Sequence, residues 1–152
     1  IVSENLTGEK SEIDEYEIEI MRGALKLSEK RVRDIVTPID EVYFLTPDTQ
    51  LDGAKIDQIK QESRSRIPIL NKPKTKCHGV LLMKDLVDVD FDDNTYTVTD
   101  FKLHKTRTVG SMTALDTMFR TFISARSHLM PVSEIEQTMG IVTIEDLIEE
   151  II

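Results

Sequence analysis

The chain has 152 residues, enough for one compact domain or two small, tightly packed ones that bury a sizeable core. Its 28 acidic and 19 basic residues give a formal charge of -9, which disfavours nucleic-acid binding because the phosphate backbone would be repelled. The single cysteine, Cys77, excludes an internal disulfide, and no apolar run reaches the roughly 18 to 20 residues that a membrane-spanning helix needs.

The first element that the sequence predicts is an amphipathic helix. Residues 1–11 are polar and without period, which predicts a flexible tail. From Ile13 onward, apolar residues recur at steps of three and four, which is typical of a helix that packs one face against another surface. We therefore predict a docking helix over residues 12–31. The members of its apolar stripe are Tyr16, Ile20, Met21, Ala24 and Leu27.

The next stretch predicts a small unit of helices and strands. Thr37-Pro38 favours an extended chain, because a residue before proline rarely stays helical. A β-rich run, 42–45, and a helical stripe, 51–59, follow. Two short apolar runs, 67–70 and 80–83, predict two strands joined by a turn, and a further helix is expected to begin at Asp85.

The second half of the chain repeats this order, which indicates an internal duplication. Three matches lie at a nearly constant offset of 61 or 62 positions. They are Arg64-Ser65 with Arg126-Ser127, Gly79 with Gly140, and Asp85 with Asp146. We therefore predict an α/β fold with one repeat over residues 32–92 and the other over residues 93–152.

The junction between strand and helix near residue 143 is the sharpest local motif. The N-terminus of a helix presents free N–H groups that bind phosphate, and Thr143 can add a hydroxyl donor. Asp146, one turn later, can accept both hydroxyls of a ribose. The same Thr-x-x-Asp spacing is also that of a capping box, in which the two side chains only close the helix end. Spacing alone favours the capping interpretation, and the duplication is what supports a nucleotide site.

Other polar clusters predict neither a metal site nor a catalytic site. The histidines lack the spacing of zinc ligands, and the acidic run lacks the glycine and glutamate of a calcium loop. No nucleophile-elbow glycines surround the serines near His128, so the chain is not expected to be an enzyme. The residues considered are His78, His104 and His128, then Asp88, Asp90, Asp92 and Asp93, then Ser111 and Ser127.

The duplicated segments resemble the CBS repeat, two of which pair into a Bateman module, and they resemble most the CNNM/CorC family of magnesium transport proteins. The segments that carry the CBS resemblance are 36–38, 65–69, 79–85, 127–132 and 140–146. Those that carry the CNNM/CorC resemblance are 24–27, 32–38, 65–68, 84–86 and 140–151.

The resemblance implies two CBS repeats packed as a pseudo-twofold pair, preceded by the N-terminal amphipathic helix. It implies a cytosolic regulatory module, joined to a membrane domain outside this chain at the plasma membrane or an organelle membrane. Its ligand would be ATP with Mg²⁺, with AMP and ADP as alternatives, and the resemblance implies a homodimer of CBS pairs. Animal members carry a long loop in the second repeat that docks a phosphatase, whereas the corresponding turn here, 133–139, is short, which puts that partnership in doubt.

The resemblance also implies a nucleotide site between the repeats. Adenine would lie against Ile67, Pro68 and Ile141, and the ribose would bind Asp146. The phosphates would face Thr37, Arg66 and Thr143, and Ser65 would belong to the same site.

A second, pseudo-symmetric site would use one residue set from each repeat, but the position that matches Thr143 is Leu82, so a phosphate-facing hydroxyl is missing. We expect that site to be empty or weak for nucleotide, which gives one ATP per chain. Its residues would be Lys84, Asp85, Val109, Ser127, His128 and Pro131.

Two alternatives stay open at this point. One is a CBS pair of another host, a channel or an enzyme, that senses AMP or another adenosine ligand. The other is a purely structural dimerisation domain in which Thr143 and Asp146 only cap a helix.

Overall fold

Short helices and strands alternate along the chain in the computed structural model, which describes residues 8–151 and their side chains from residue 14 onward. Its α-helices are α1 (Gly8–Glu29), α2 (Gly53–Gln61), α3 (Leu115–Ala125) and α4 (Ile144–Ile151). Its strands are β1 (Thr37–Pro38), β2 (Gln50–Leu51), β3 (Arg66–Leu70), β4 (Cys77–Leu82), β5 (Tyr96–Thr97), β6 (Leu129–Glu134) and β7 (Gln137–Thr143). Residues 1–7 of the predicted tail lie outside the described part, and residues 8–11 belong to α1.

The predicted N-terminal helix is present as α1, and it packs on α3 and α4 through its C-terminal half. Gly23 lies so close to Ile151 that a Cβ there would come within 2.9 Å of that side chain. Leu27 enters the core, but Tyr16 and Met21 keep 66% and 67% of their surface exposed. Most of the predicted apolar stripe is therefore uncovered in the described chain.

Three antiparallel sheets organise the strands, in the orders β1-β7-β6, β2-β5 and β3-β4. The β3-β4 hairpin pairs Arg66 with Leu82, and the β6-β7 hairpin pairs Leu129 with Thr143. The turn of the second hairpin consists of Ile135 and Glu136, both with positive φ, which is the conformation of a tight two-residue turn. The predicted short turn in this region is therefore present.

The duplication is confirmed by matching hydrogen bonds in the two halves. The N–H of Leu45 donates to Pro68 O at 3.1 Å, and the N–H of Val109 donates to Pro131 O at 3.0 Å. The two hairpins also pair glycines at corresponding places, Ile69 with Gly79 and Val132 with Gly140. The expected α/β fold of two paired repeats is therefore the observed one.

One of the sequence matches is shifted by one residue in the structure. The N–H of Met83 donates to Ser65 O and that of Ile144 donates to His128 O, so Ser65 corresponds to His128 and not to Ser127. The left-handed residues in the turns after the two helices, Ser63 and Arg126, lie two positions before Ser65 and His128 and give the same correspondence. The shared Arg-Ser dipeptide therefore does not mark equivalent positions.

The helix expected to begin at Asp85 is only a four-residue 3-10 helix, Met83–Leu86. The residues after it, Val87, Asp88 and Val89, are poor helix formers, so the helix does not continue. The first repeat thus lacks a counterpart to α4, an eight-residue α-helix at the same place in the second repeat.

Two hydrophobic cores form, and each includes a segment from the other half of the chain. The first core consists of buried side chains between Leu45 and Phe91 together with Val98, and Leu103 packs against it. The second core consists of buried side chains between Leu115 and Leu147 together with Leu27 and Val32. The opening segment of each repeat therefore packs on the opposite core, while the proposed sequence boundaries at 32–92 and 93–152 stay a prediction.

Candidate functional site

A cleft of about 280 Å³ lies where β1, the start of β3 and the junction of β7 with α4 meet. Seven of the eight residues that the sequence predicted for the nucleotide site line it, although they come from three distant parts of the chain. These seven are Thr37, Ser65, Arg66, Pro68, Ile141, Thr143 and Asp146.

Ile67 is the exception, and its predicted role needs correction. Its side chain is fully buried in the first core and does not line the cleft. Successive residues of a strand point to opposite faces, so Arg66 and Pro68 face the cleft while Ile67 faces the core. A side-chain contact between Ile67 and a ligand is therefore ruled out by the direction of β3.

Close packing of β1 against β7 joins the two repeats at this cleft. Thr37 pairs with Ile141 and Pro38 with Gly140. A Cβ atom at Gly140 would collide with the carbonyl oxygen of Thr37 and lie 2.8 Å from the side chain of Val36. The glycine is therefore what lets the opening segment approach the strand that carries Ile141 and leads to Thr143.

Thr143 and Asp146 form the capping box that their spacing predicts. The backbone N–H of Thr143 donates to Asp146 Oδ2 at 3.0 Å, and the N–H of Asp146 donates to Thr143 Oγ1 at 3.3 Å. These bonds use one carboxylate oxygen and one hydroxyl lone pair. Asp146 Oδ1 and the hydroxyl proton of Thr143 remain available, so capping and ligand binding are compatible.

Charges in the cleft are mixed, with a slight acidic excess. The acidic side chains are those of Glu41, Glu145 and Asp146, and the basic ones are those of Arg64 and Arg66. Arg66 Nη1 lies 3.5 Å from Glu145 Oε1, so one guanidinium is partly neutralised by its neighbour. A highly charged anion would therefore bind here more favourably together with a cation.

Tyr43 is a lining residue that the sequence did not reveal. Its hydroxyl is buried and has no hydrogen-bond partner within the described residues. Burial raises the pKa of this hydroxyl above its usual value, and the carboxylate of Glu62 raises it further. An unpaired buried donor beside a cleft is a ready partner for a ligand oxygen.

Six further residues line the cleft but were not predicted as ligands from the sequence. They are Glu41, Val42, Ser63, Arg64, Leu129 and Glu145. Leu129 and Glu145 lie within recognised segments but were given no role there, and the left-handed turn at Ser63 is not visible in a single sequence.

A second, larger cleft of about 780 Å³ lies at the pseudo-symmetric position. Lys84, Ser127 and His128 line it as expected, whereas Asp85, Val109 and Pro131 do not. The residue that corresponds to Thr37 is His104, because it pairs with Val80 as Thr37 pairs with Ile141. The expectation that Val109 opens this site is therefore wrong, since Val109 occupies the position of Leu45.

The junction of the second cleft differs from that of the first, as the sequence predicted. Leu82, which lines the cleft, takes the place of Thr143. Asp85, which corresponds to Asp146, is bonded to His104, with Oδ2 2.7 Å from Nε2. This junction therefore has no hydroxyl at the position of Thr143, and His104 binds one oxygen of its carboxylate.

Residues 14–151 contain no group of three or more histidine, cysteine, aspartate or glutamate side chains that could hold a metal ion. No helix in the described part of the chain is both long enough and apolar enough to cross a membrane.

Comparison with known proteins gives one curated relative of direct interest, whereas no protein-family model matches the chain. The magnesium and cobalt efflux protein CorC of Escherichia coli (strain K12) is 30% identical over 147 residues, which cover 96% of this chain and 50% of that protein. The chain thus spans about half the length of this relative.

Solved structures with the same fold include two of the CBS domain of the bacterial CNNM/CorC family Mg²⁺ transporter. The complex with ATP is 27% identical with a TM-score of 0.77, covering 90% of this chain and 96% of that one. The complex with the inhibitor IGN95a is 27% identical with a TM-score of 0.79, covering 89% of this chain and 83% of that one.

Proposed function

We propose that this chain, which is a tandem CBS module of the CNNM/CorC family, binds an adenine nucleotide between its repeats and thereby regulates a membrane transport domain of the same protein. The observation that carries the proposal is the convergence of seven predicted ligand residues in one cleft. The ATP complex of a structurally similar CBS domain supports the choice of ligand. The proposed role is regulatory, and no reaction is assigned to the cleft.

In the proposed complex, each part of the nucleotide meets a group that suits its chemistry. The adenine lies against the apolar surfaces of Pro68 and Ile141, and the ribose hydroxyls donate to Asp146 Oδ1. The phosphates accept hydrogen bonds from Thr143 and Arg66 and from the N-terminus of α4. Tyr43 adds a hydroxyl donor that is otherwise unpaired.

Mg²⁺ is proposed to enter with the triphosphate. The cleft has three carboxylates and two guanidinium groups among its lining residues, so it does not neutralise a triphosphate by itself. A magnesium ion bound mainly by phosphate oxygens would offset this excess of negative charge. We therefore expect ATP to bind more tightly with Mg²⁺ than without it.

Regulation requires that the nucleotide bind two arrangements of the module with different affinity, since equal affinity shifts no population. The helix α1, with its uncovered stripe around Tyr16 and Met21, is the proposed contact with the transport domain. Magnesium transport, the cytosolic position of the module and its homodimer are proposed from the family resemblance and from the CorC relative.

The test is calorimetry with ATP, with and without Mg²⁺, on the wild-type chain and on Asp146→Ala. Losing a hydrogen bond to a charged group should weaken ATP binding about tenfold or more. Asp100→Ala is the matched control, because Asp100 Oδ2 accepts the N–H of Thr97 at 2.8 Å in the same type of cap away from the cleft. It should lower the melting temperature to a similar extent and leave the ATP affinity unchanged.

Three results would contradict the proposal: no ATP binding by the wild type, unchanged binding by Asp146→Ala, or equal losses of affinity in both variants. The last two would favour the structural alternative, in which Asp146 only caps α4. Titrations with AMP and ADP in the same series would separate a triphosphate sensor from a module that prefers another adenosine ligand.

A further inference from the structure

The second cleft is basic, in contrast to the chain as a whole. Its lining includes five lysine or arginine side chains and two histidines, and none of its lining residues is acidic. The formal charge of the chain is -9, so this concentration of positive charge is not a consequence of composition. The basic residues are Arg66, Lys84, Lys102, Lys105 and Arg126, and the histidines are His104 and His128.

Most of these cations have no carboxylate partner within residues 14–151. Arg66 lies 3.5 Å from Glu145, but Lys84, Lys102, Lys105 and Arg126 form no ion pair in that part of the chain. Like charges gathered around one concave space repel each other, and an anion bound there would relieve that repulsion.

Two groups that would contact a nucleoside in the first cleft are missing from the lining of the second. Pro131, which corresponds to Pro68, does not line it, and Asp85, which corresponds to Asp146, does not line it and is hydrogen-bonded to His104. Leu82 takes the place of Thr143, so lysine and arginine side chains are the donors for an anion here. Lys84 takes the position that Glu145 has in the first cleft, so the second cleft has a positive charge where the first has a negative one. The 3-10 helix Met83–Leu86 is a single short turn, so the attraction for an anion comes from side chains.

We propose that the second cleft binds a small, multiply charged phosphate anion, of the di- or triphosphate class, without recognising a nucleoside. A cleft of about 780 Å³ has room for such an anion among side chains that approach from both repeats. Lys84 comes from the end of the first hairpin, Lys102 and Lys105 from the opening segment of the second repeat, and Arg126 from the turn after α3. This inference does not depend on ATP binding in the first cleft.

The test is calorimetric titration of the wild-type chain with sodium tripolyphosphate, without Mg²⁺ and at low salt. Lys102→Ala/Lys105→Ala removes two exposed cations of the cleft and should weaken binding at least tenfold. Lys72→Ala/Lys76→Ala is the matched control, since it removes the same charge from an exposed turn that lines neither cleft. It should change the affinity less than twofold, and added salt should weaken wild-type binding.

A second titration, of Asp146→Ala with tripolyphosphate, locates the anion. Asp146→Ala should bind tripolyphosphate as the wild type does, and Lys102→Ala/Lys105→Ala should keep its affinity for ATP with Mg²⁺ in the first cleft. The inference is overturned if tripolyphosphate does not bind, if the two double variants lose affinity equally, or if Asp146→Ala abolishes tripolyphosphate binding. Binding of tripolyphosphate by a chain that fails to bind ATP would overturn the proposed function and leave this inference standing.

Discussion

Tyr43 shows why a residue that lines a cleft can escape a sequence analysis. The run 42–45 is β-rich, and the sequence predicts only that it is extended. Whether the tyrosine hydroxyl points to solvent, to a partner or into a cleft depends on the strands around it. In the structure the ring packs against the first core while the residue also lines the cleft proposed to bind nucleotide.

Tyr43→Phe separates the stability of the chain from its affinity for ATP. Removing a buried hydroxyl that has no partner should leave the free energy of unfolding unchanged or raise it by about 1 kcal/mol. The same change should weaken ATP binding by about threefold to tenfold, since one neutral hydrogen bond is lost. Urea denaturation and calorimetry measure the two effects. A loss of stability with unchanged affinity would show that the hydroxyl has a role outside the cleft.

Glu134 should give a pH-dependent contribution to stability. The hydroxyl and the backbone N–H of Ser111 both donate to Glu134 Oε1 at 2.6 Å, and they hold its pKa below the usual 4.5. A lowered folded-state pKa means that the contribution is present above the unfolded-state pKa and is lost as the pH falls through the folded-state value.

The measurement is the melting temperature of the wild type and of Glu134→Gln as a function of pH. The variant should melt below the wild type at pH 7, and the difference should narrow as the pH falls through the lowered pKa of the wild-type carboxylate, which then becomes protonated. A difference that stays constant over this range would assign the effect to packing of the side chain and not to its charge.

Those residues of the candidate site that belong to sequence motifs were predictable. Thr37, Thr143 and Asp146 belong to sequence patterns at the edges of strands and helices, and the structure places all three in the cleft. Ile67 was assigned wrongly because a single sequence does not show which face of β3 meets the core. Arg64 was missed because its place depends on the left-handed turn at Ser63.

At the scale of elements, the pairing of β1 with β7 brings the two repeats into close contact at the first cleft. Gly140 is needed there because any larger residue would push against the Thr37 carbonyl. Gly79 has the corresponding place at the second cleft, where a Cβ would lie 2.9 Å from the carbonyl oxygen of His104. Substitution of one glycine should therefore disturb the contact at its own cleft and leave the contact at the other cleft intact.

Gly140→Ala should destabilise the chain by roughly 1 to 3 kcal/mol, the usual range for overpacking. It should also weaken ATP binding at least tenfold, because the added methyl group moves Thr37 away from Ile141. Gly79→Ala, also strained because Gly79 has a φ of 138°, should destabilise the chain but retain ATP binding. Thermal melts and calorimetry test both variants. Equal losses of affinity would mean that ATP binding reports global stability and not the geometry of the first joint.

Element order was predictable because helical and strand periods differ, and the order repeats in the two halves. Register was less predictable: the matching Arg-Ser dipeptides suggested an offset one residue smaller than the hydrogen bonds of Ser65 and His128 show. The short 3-10 helix at Met83–Leu86 also departs from prediction, because a four-residue turn has too few residues to show a period.

At the scale of the whole molecule, the crossing of opening segments should make the two cores unfold together. Val32 is buried in the second core, and Val98 is buried in the first. Each core therefore loses a contributor when the other half of the chain unfolds. This coupling was not predictable from the repeat boundaries, since sequence repeats do not show which core an opening segment joins.

Met130→Ala tests this coupling. Met130 is fully buried in the second core, and its truncation should destabilise the chain by about 2 to 5 kcal/mol. Tyr43 and Tyr96 both pack against the first core, so near-ultraviolet circular dichroism reports mainly on that core. The melting temperature from the tyrosine signal should fall as much as that from the far-ultraviolet signal. Two separated transitions would show that the cores unfold independently.

The crossed opening segments also set an order of assembly during translation, in which the N-terminal part of a chain is synthesised first. Residues 45–91 leave the ribosome before Val98, so the first core cannot be completed when its own repeat has emerged. Val32, made early, has no core to enter until the strands and helices of the second repeat are available. The first cleft needs Thr143 and Asp146 and is among the last features to form, so the ligand binding proposed for it would begin only when nearly all of this module has been made.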